Sequence, residues 1–202
     1  DDPPESEAGF PAMEIYLDTS GSMPSPDGAV NALTLAAQIL SASVLRKHGA
    51  VRGIIYSTLW IQSGWMYHEE VARLFFLNYS GGGTAFPFPV LRRFARERND
   101  VIRVVISDSD FLCNVQGEAF DEIDEIMRQK RGGKGPRPVG TLEYGVARSR
   151  LFVALLGLPG RQHLHAEALA SVLRHPKFRL VAVHDYEALA VAARDLARAI
   201  LD

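Results

Sequence analysis

The stretch Ile15-Tyr16-Leu17-Asp18-Thr19-Ser20-Gly21-Ser22-Met23 decides how this chain is read. Its first half belongs to a short apolar strand, Met13 to Leu17, that ends at Asp18. Its second half puts two hydroxyls and a glycine into the turn that follows. Downstream, Asp27 reads as the N-cap of a helix whose apolar face is Val30, Leu33, Ala37, Leu40 and Val44, closed by Gly49. A strand, an oxygen-rich turn and a capped helix form the opening of an α/β unit. In such a sheet ligands collect at the carboxyl ends of strands, where loops diverge and helix N-termini supply partial positive charge.

The rest of the chain repeats the alternation. Val51 to Thr58 and Leu59 to Gly64 are β-rich neighbours with almost no room between them, which predicts a hairpin and one antiparallel strand. Glu69 to Leu77 and Pro89 to Arg98 read as helices around a Gly81-Gly82-Gly83 turn, and Val101 to Ile106 as a buried strand. Ala119 to Lys130 is read as a helix, followed by a long polar stretch before the strand Leu151 to Leu156. His165 to Leu173, Phe178 to Val183 and Ala188 to Leu201 supply a helix, a strand and a final helix. The expected fold is a Rossmann-like α/β domain over residues 13–202, with a mostly parallel sheet of about six strands flanked by helices. Residues 1–12, opening on Asp1-Asp2-Pro3-Pro4-Glu5, are expected to be a linker or domain boundary within a longer chain.

Composition sets the outer limits. The 202 residues are 47% hydrophobic and 23% charged with a mean hydropathy of -0.01, which excludes a wholly disordered chain. Twenty-two basic against 24 acidic residues give a net charge of -2, so no global positive field exists to hold a phosphate backbone. The apolar run Leu151 to Pro159 is far shorter than the roughly 20 residues that span a bilayer. One cysteine, Cys113, allows neither an intrachain disulfide nor a cysteine-built zinc site, and a cytoplasmic setting is expected.

Two further turns join the first. Gly81-Gly82-Gly83-Thr84 brings a hydroxyl on a backbone free to adopt left-handed conformations. Ser107-Asp108-Ser109-Asp110 follows the buried strand directly. If the strands are parallel, all three turns meet at one edge of the sheet. They offer oxygen ligands only, which suit Mg²⁺, Mn²⁺ or Ca²⁺ rather than zinc or copper.

These residues resemble the von Willebrand factor A-like domains with their metal-ion-dependent adhesion site, whose pattern is Asp-x-Ser-x-Ser, a distant Thr and a later Asp. The resemblance implies that Ser20, Ser22 and Thr84 are direct hydroxyl ligands of Mg²⁺, and that Asp18 and Asp108 hold the ion directly or through water. The family often has Asp followed by Gly in the third element, whereas this chain has Asp108-Ser109-Asp110. The choice between Asp108 and Asp110 therefore stays open, with Asp108 preferred because it sits nearest the strand end. A cation held by neutral hydroxyls keeps residual positive charge and accepts an outside carboxylate. The implied function is a protein-protein interaction module that binds an Asp or Glu of a partner. The compact Asp-Thr-Ser-Gly-Ser-Met form looks like bacterial intracellular members, which implies a MoxR-type AAA+ ATPase or another domain of the same assembly as partner.

Other features read more plainly. A dehalogenase-type phosphatase needs a second Asp two residues after the first, and Ser20 stands there. Gly132-Gly133-Lys134-Gly135 follows a helix and lacks Ser or Thr after the lysine, so it is no phosphate loop. No Gly-x-Ser-x-Gly elbow occurs. A metal-dependent hydrolase or phosphotransferase on the same rim would need a base, for which Asp110 and His68 are the candidates. His163 and His165 read as surface or capping residues, and Cys113 as a partly buried structural thiol. The basic run Arg128, Lys130, Arg131, Lys134 and Arg137 is a solvated loop or a separate docking surface for an acidic partner.

Overall fold

In β1 (Ala12–Asp18) every residue is buried, with Met13, Ile15 and Leu17 on one face and Tyr16 on the other. Burial on both faces is the mark of a central strand covered by helices. The computed structural model describes residues 10–25, 31–116, 140–158, 169 and 172–201. Among them six strands form one sheet, in the order β3-β2-β1-β4-β5-β6. The others are β2 (Ala50–Tyr56), β3 (Trp60–Met66), β4 (Ile102–Ser107), β5 (Leu151–Gly157) and β6 (Phe178–Val183). All neighbours pair in parallel except β2 and β3, which form the expected antiparallel hairpin at one edge.

The helices are α1 (Ala32–Arg46), α2 (Glu69–Phe75), α3 (Phe88–Glu97), α4 (Asp110–Gln116), α5 (Thr141–Ala147) and α6 (Ala188–Leu201). One face of the sheet packs Met13, Ile15, Val104 and Val153 against Leu33, Leu40 and Val44 of α1, Ala72 of α2 and Leu189 and Ala193 of α6. The opposite face packs Tyr16, Val105 and Phe152 against Leu91 and Phe94 of α3, Phe111 of α4 and Val146 of α5. Each fully buried Leu, Val or Phe contributes about 1.5–3 kcal/mol relative to exposure, so both layers are needed to hold the sheet.

Asp27 lies outside the described residues, and the cap of α1 is Asn31. Its side chain accepts from the Thr34 backbone N–H at 2.9 Å while Thr34 Oγ1 accepts from the Asn31 N–H at 3.0 Å, a reciprocal capping box. At the far end the left-handed position is His48, with φ of 58°, and not Gly49. The N–H of Gly49 reaches back to Val44 O at 3.0 Å and that of His48 to Leu45 O at 3.0 Å, which is a Schellman closure. Gly49 is required for space instead. A Cβ there would stand 2.2 Å from Pro11 O and 2.7 Å from Val44 Cγ1.

Two helices were not expected: α4 begins in the Ser107–Asp110 turn itself, and α5 occupies part of the stretch read as polar connection. The expected helix at 119–130, residues 1–9 of the linker expected over 1–12, the basic run at 128–137, and His163 and His165 lie outside the described residues, while Ala12 already belongs to β1. At the end of the sheet away from the strand tips, Arg103 is fully buried. It donates to Glu14 Oε2 (2.7 Å), Ser149 Oγ (3.0 Å) and the carbonyls of Arg148, Phe94 and Arg98, so all five of its N–H groups are used. Among the described residues no helix is long and apolar enough to cross a membrane.

Candidate functional site

β1 delivers Asp18 to the carboxyl rim as a fully buried carboxylate. Its Oδ1 accepts the backbone N–H of Ser20 at 2.9 Å and its Oδ2 accepts the hydroxyl of Ser107 at 2.5 Å. These two bonds fix the carboxylate and bend the chain so that Ser20 Oγ and Ser22 Oγ stand 3.0 Å apart. Ser20 is buried and Ser22 exposed, so the pair runs from the interior to solvent.

The glycine turn is stitched onto this loop by main-chain bonds. Gly21 N–H donates to Gly82 O at 2.7 Å and Gly81 N–H to Thr19 O at 3.0 Å. Both bonds depend on left-handed backbone at Gly81 (φ 62°) and Gly82 (φ 90°), which side chains with a Cβ rarely adopt. Thr84 is thereby carried to the third turn, where its Oγ1 donates to Asp110 Oδ2 at 3.4 Å. Asn114 of α4 fastens the second and third turns together. Its Oδ1 accepts from Phe86 N–H at 2.8 Å, and its Nδ2 donates to Thr84 O at 3.2 Å and Asp110 O at 2.8 Å.

In the third turn Asp108 is nearly fully buried and its Oδ1 accepts the N–H of Asp110 at 2.8 Å. The structure thus brings Asp18, Ser20, Ser22, Thr84, Asp108 and Asp110 to one rim. Asp108 is the more buried carboxylate and Asp110 the one that touches Thr84. Among the described residues no Lys or Arg pairs with these three carboxylates. Burial, aided by the charge of Asp108, pushes the Asp18 carboxyl up to about 6 against the lowering effect of its Ser107 and Ser20 hydrogen bonds. Among the described residues no three His, Cys, Asp or Glu side chains converge as a metal-ligand cluster. An ion here would therefore draw on hydroxyl oxygens, and the donor set of three hydroxyls and nearby carboxylates fits a hard divalent cation.

Four residues outside the sequence motif complete the rim. Ser107 holds Asp18. Tyr79 Oη donates to Ser20 O at 3.0 Å, and Tyr186, from the β6–α6 connection, donates to Ser22 O at 3.4 Å. The Tyr186 phenol is pushed up to about 12, by burial first and then by the negative charge of Asp108, Asp18 and Asp110. Tyr56, at the end of β2, is buried beneath the rim and is raised well above its ordinary range by burial and then by Asp18. No local pattern marks these tyrosines, because each reaches the rim from a separate strand end or loop.

Of the two candidate bases only Asp110 is at the rim. His68 caps α2 after β3, and β3 runs antiparallel, so the chain has by then returned to the opposite edge of the sheet. Cys113 is exposed rather than partly buried. On α4 it lies away from the face that buries Phe111 and Leu112.

The backbone order and the convergence of three turns at the parallel rim can now be set beside known proteins. No family model matches the chain, and no curated protein matches it in sequence. Solved structures do. A von Willebrand factor type A protein from Catenulispora acidiphila superposes with a TM-score of 0.53 at 15% identity, covering 94% of this chain and 42% of that one. The chain has a von Willebrand factor A-like fold. An aerotolerance-related membrane protein from Bacteroides fragilis NCTC 9343, carrying multiple mutations to serines, matches this A-like fold with a TM-score of 0.55 at 14% identity, covering 94% of this chain and all of that one. The PilB minor pilin from Streptococcus sanguinis matches it with a TM-score of 0.55 at 15% identity, over 99% of this chain and 63% of the pilin. The A-like domain thus spans about two fifths of the Catenulispora chain and under two thirds of the pilin.

Proposed function

We propose that this A-like domain is a non-enzymatic protein-interaction module that holds a divalent cation, Mg²⁺ in the first instance, at the rim and through it binds an Asp or Glu side chain of a partner. The observation that carries the reading is the pair of main-chain bonds, Gly21 to Gly82 and Gly81 to Thr19, that holds the glycine turn and its threonine on the Ser20 and Ser22 loop. Ser20, Ser22 and Thr84 would hold the ion, with Asp18 and Asp108 or Asp110 holding it directly or through its waters. The bound ion supplies a positive charge with a coordination position open to an outside oxygen. The protein's own residues do the rest: Ser107 and the Ser20 N–H aim Asp18, Asn114 keeps Asp110 beside Thr84, and Tyr79 and Tyr186 steady the serine loop from two sides.

A bacterial cytoplasmic setting within a larger protein, with a MoxR-type AAA+ ATPase or another domain of the same assembly as partner, rests on the form of the motif alone. A metal-dependent hydrolase or phosphotransferase finds less support, since His68 is not at the rim and Asp110 is engaged by Thr84. Pull-down with the chain in Mg²⁺ and in EDTA, beside Asp18→Ala, tests the reading. Partners released by EDTA and absent from the Asp18→Ala sample support it. Partners retained equally under all three conditions contradict it.

A further inference from the structure

The pairing of β2, β1 and β4 sets a row of side chains across the rim. Tyr56 is in register with Asp18, and Leu17 with Ile106, which puts Ser107 beside Asp18 on the other flank. Adjacent strands are about 4.8 Å apart and registered residues share a face. Tyr56, Asp18 and Ser107 therefore form one lateral series, continuous below with the aromatic layer of Tyr16, Phe86 and Phe111.

Within this row the Tyr56 hydroxyl stands out. The residue is fully buried, its ring is wedged edge-on against Phe86 at 5.3 Å, and its Oη has no hydrogen-bond partner among the described residues. Ser107, the neighbouring hydroxyl in the row, gives its hydrogen to Asp18 Oδ2 and acts on the phenol without closing a hydrogen bond of normal geometry. The groups whose charge acts on the phenol are Asp18, Asp108 and Asp110, all on the rim. A buried hydroxyl left unpaired costs about 1–3 kcal/mol, so a tyrosine kept here instead of phenylalanine needs a partner that lies above it, on the side of the carboxylates.

We infer that Tyr56 is a positioning residue of the rim, its phenol hydrogen-bonding a water that belongs to the shell of the divalent cation held by Ser20, Ser22 and Thr84. The inference rests on the metal-binding reading above. Tyr56 makes no bond to the ion itself. Tyr56 is buried beneath the rim and Ser22 is exposed, so the phenol would order a water on the buried side and leave the solvent side free for exchange.

The test is Tyr56→Phe, which removes one oxygen and leaves the ring in its Phe86 contact. Mn²⁺ affinity is read by titration calorimetry, and stability in EDTA by thermal unfolding. Tyr16→Phe is the control, because that hydroxyl donates to Glu14 at the other end of the sheet. The expected result is a loss of Mn²⁺ affinity of about tenfold in Tyr56→Phe. Its stability in EDTA should equal or exceed that of the unaltered chain. Tyr16→Phe should keep full Mn²⁺ affinity. Equal Mn²⁺ affinity in Tyr56→Phe and the unaltered chain overturns the Tyr56 role alone, while an unaltered chain that binds no Mn²⁺ overturns the metal reading with it. An equal loss in Tyr16→Phe, or a Tyr56→Phe chain destabilised in EDTA, marks the hydroxyl as structural and overturns the inference as well.

Discussion

The backbone N–H of Gly21 lies 2.7 Å from the carbonyl oxygen of Gly82, across 61 residues of chain, and this single bond joins the serine loop to the turn that carries Thr84. It is a main-chain bond, so its strength does not depend on a rotamer. It depends on Gly82 holding a φ of 90°.

Gly82→Ala is accordingly expected to be costly at a surface turn. The new Cβ would be forced into left-handed backbone and would stand 3.0 Å from Thr58 Oγ1. The expected loss is about 1–3 kcal/mol in urea unfolding, accompanied by weaker Mn²⁺ binding as Thr84 moves off the serines. Stability and Mn²⁺ affinity both at the level of the unaltered chain would show that the turn does not set the site.

The pH response of the cation-free chain follows from Asp18. Its folded value of about 6 lies above the ordinary 3.8, so between those limits the folded chain binds the proton more tightly than the unfolded chain. The Asp18 contribution to stability is therefore present at low pH and is lost as pH rises from about 4 to about 6, by at most about 3 kcal/mol. Asp18→Asn should flatten this part of the curve in EDTA. Urea unfolding of both chains at intervals between pH 4 and 7 measures it, and parallel curves would contradict the assignment.

The buried ion pair at the other end of the sheet separates scaffold from site. Arg103→Leu leaves the fully buried Glu14 with only the 3.9 Å approach of Arg52 and the Tyr16 hydroxyl, and is expected to cost about 3–5 kcal/mol, part of which returns in the double variant with Glu14→Gln. Mn²⁺ affinity should stay within about twofold of the unaltered chain in whatever fraction folds, since distant sites act independently. Unfolding by urea with a parallel Mn²⁺ titration checks both halves.

What could be read from the letters alone depended on how locally each feature is determined. The strands, the hairpin and the last helix follow from apolar periodicity, and the rim hydroxyls follow from the position of turns after strands. Asn31 and Asp27 are both residue types that cap helices, and only the reciprocal bond of Asn31 with Thr34 marks the cap. The helix α5 was hidden by Gly145 within it, which lowers helix propensity by about 1 kcal/mol against Ala, and is held in place by Leu142 and Val146 packing on the sheet. Cys113 looked buried because it follows Phe111 and Leu112, yet a helical turn rotates it to the exposed side. Tyr56, Tyr186 and Asn114 carry no sequence signal at all, since they reach the rim only through strand register and helix placement.

Asn31→Ala offers a modest check on the capping box. Loss of the side-chain acceptor for Thr34 N–H is expected to cost about 0.5–2 kcal/mol. Thermal unfolding of Asn31→Ala beside the unaltered chain measures it, and equal stability would refute the assignment.

The central claim is that hydroxyls from two loops, tied by backbone, share one ion with the carboxylates beneath them. Calorimetric titration of Mn²⁺ into the unaltered chain, Asp18→Ala and Thr84→Ala tests it most directly. One ion per chain is predicted, with affinity lower by at least about tenfold in each variant. No binding to the unaltered chain, or binding that neither substitution alters, would contradict it.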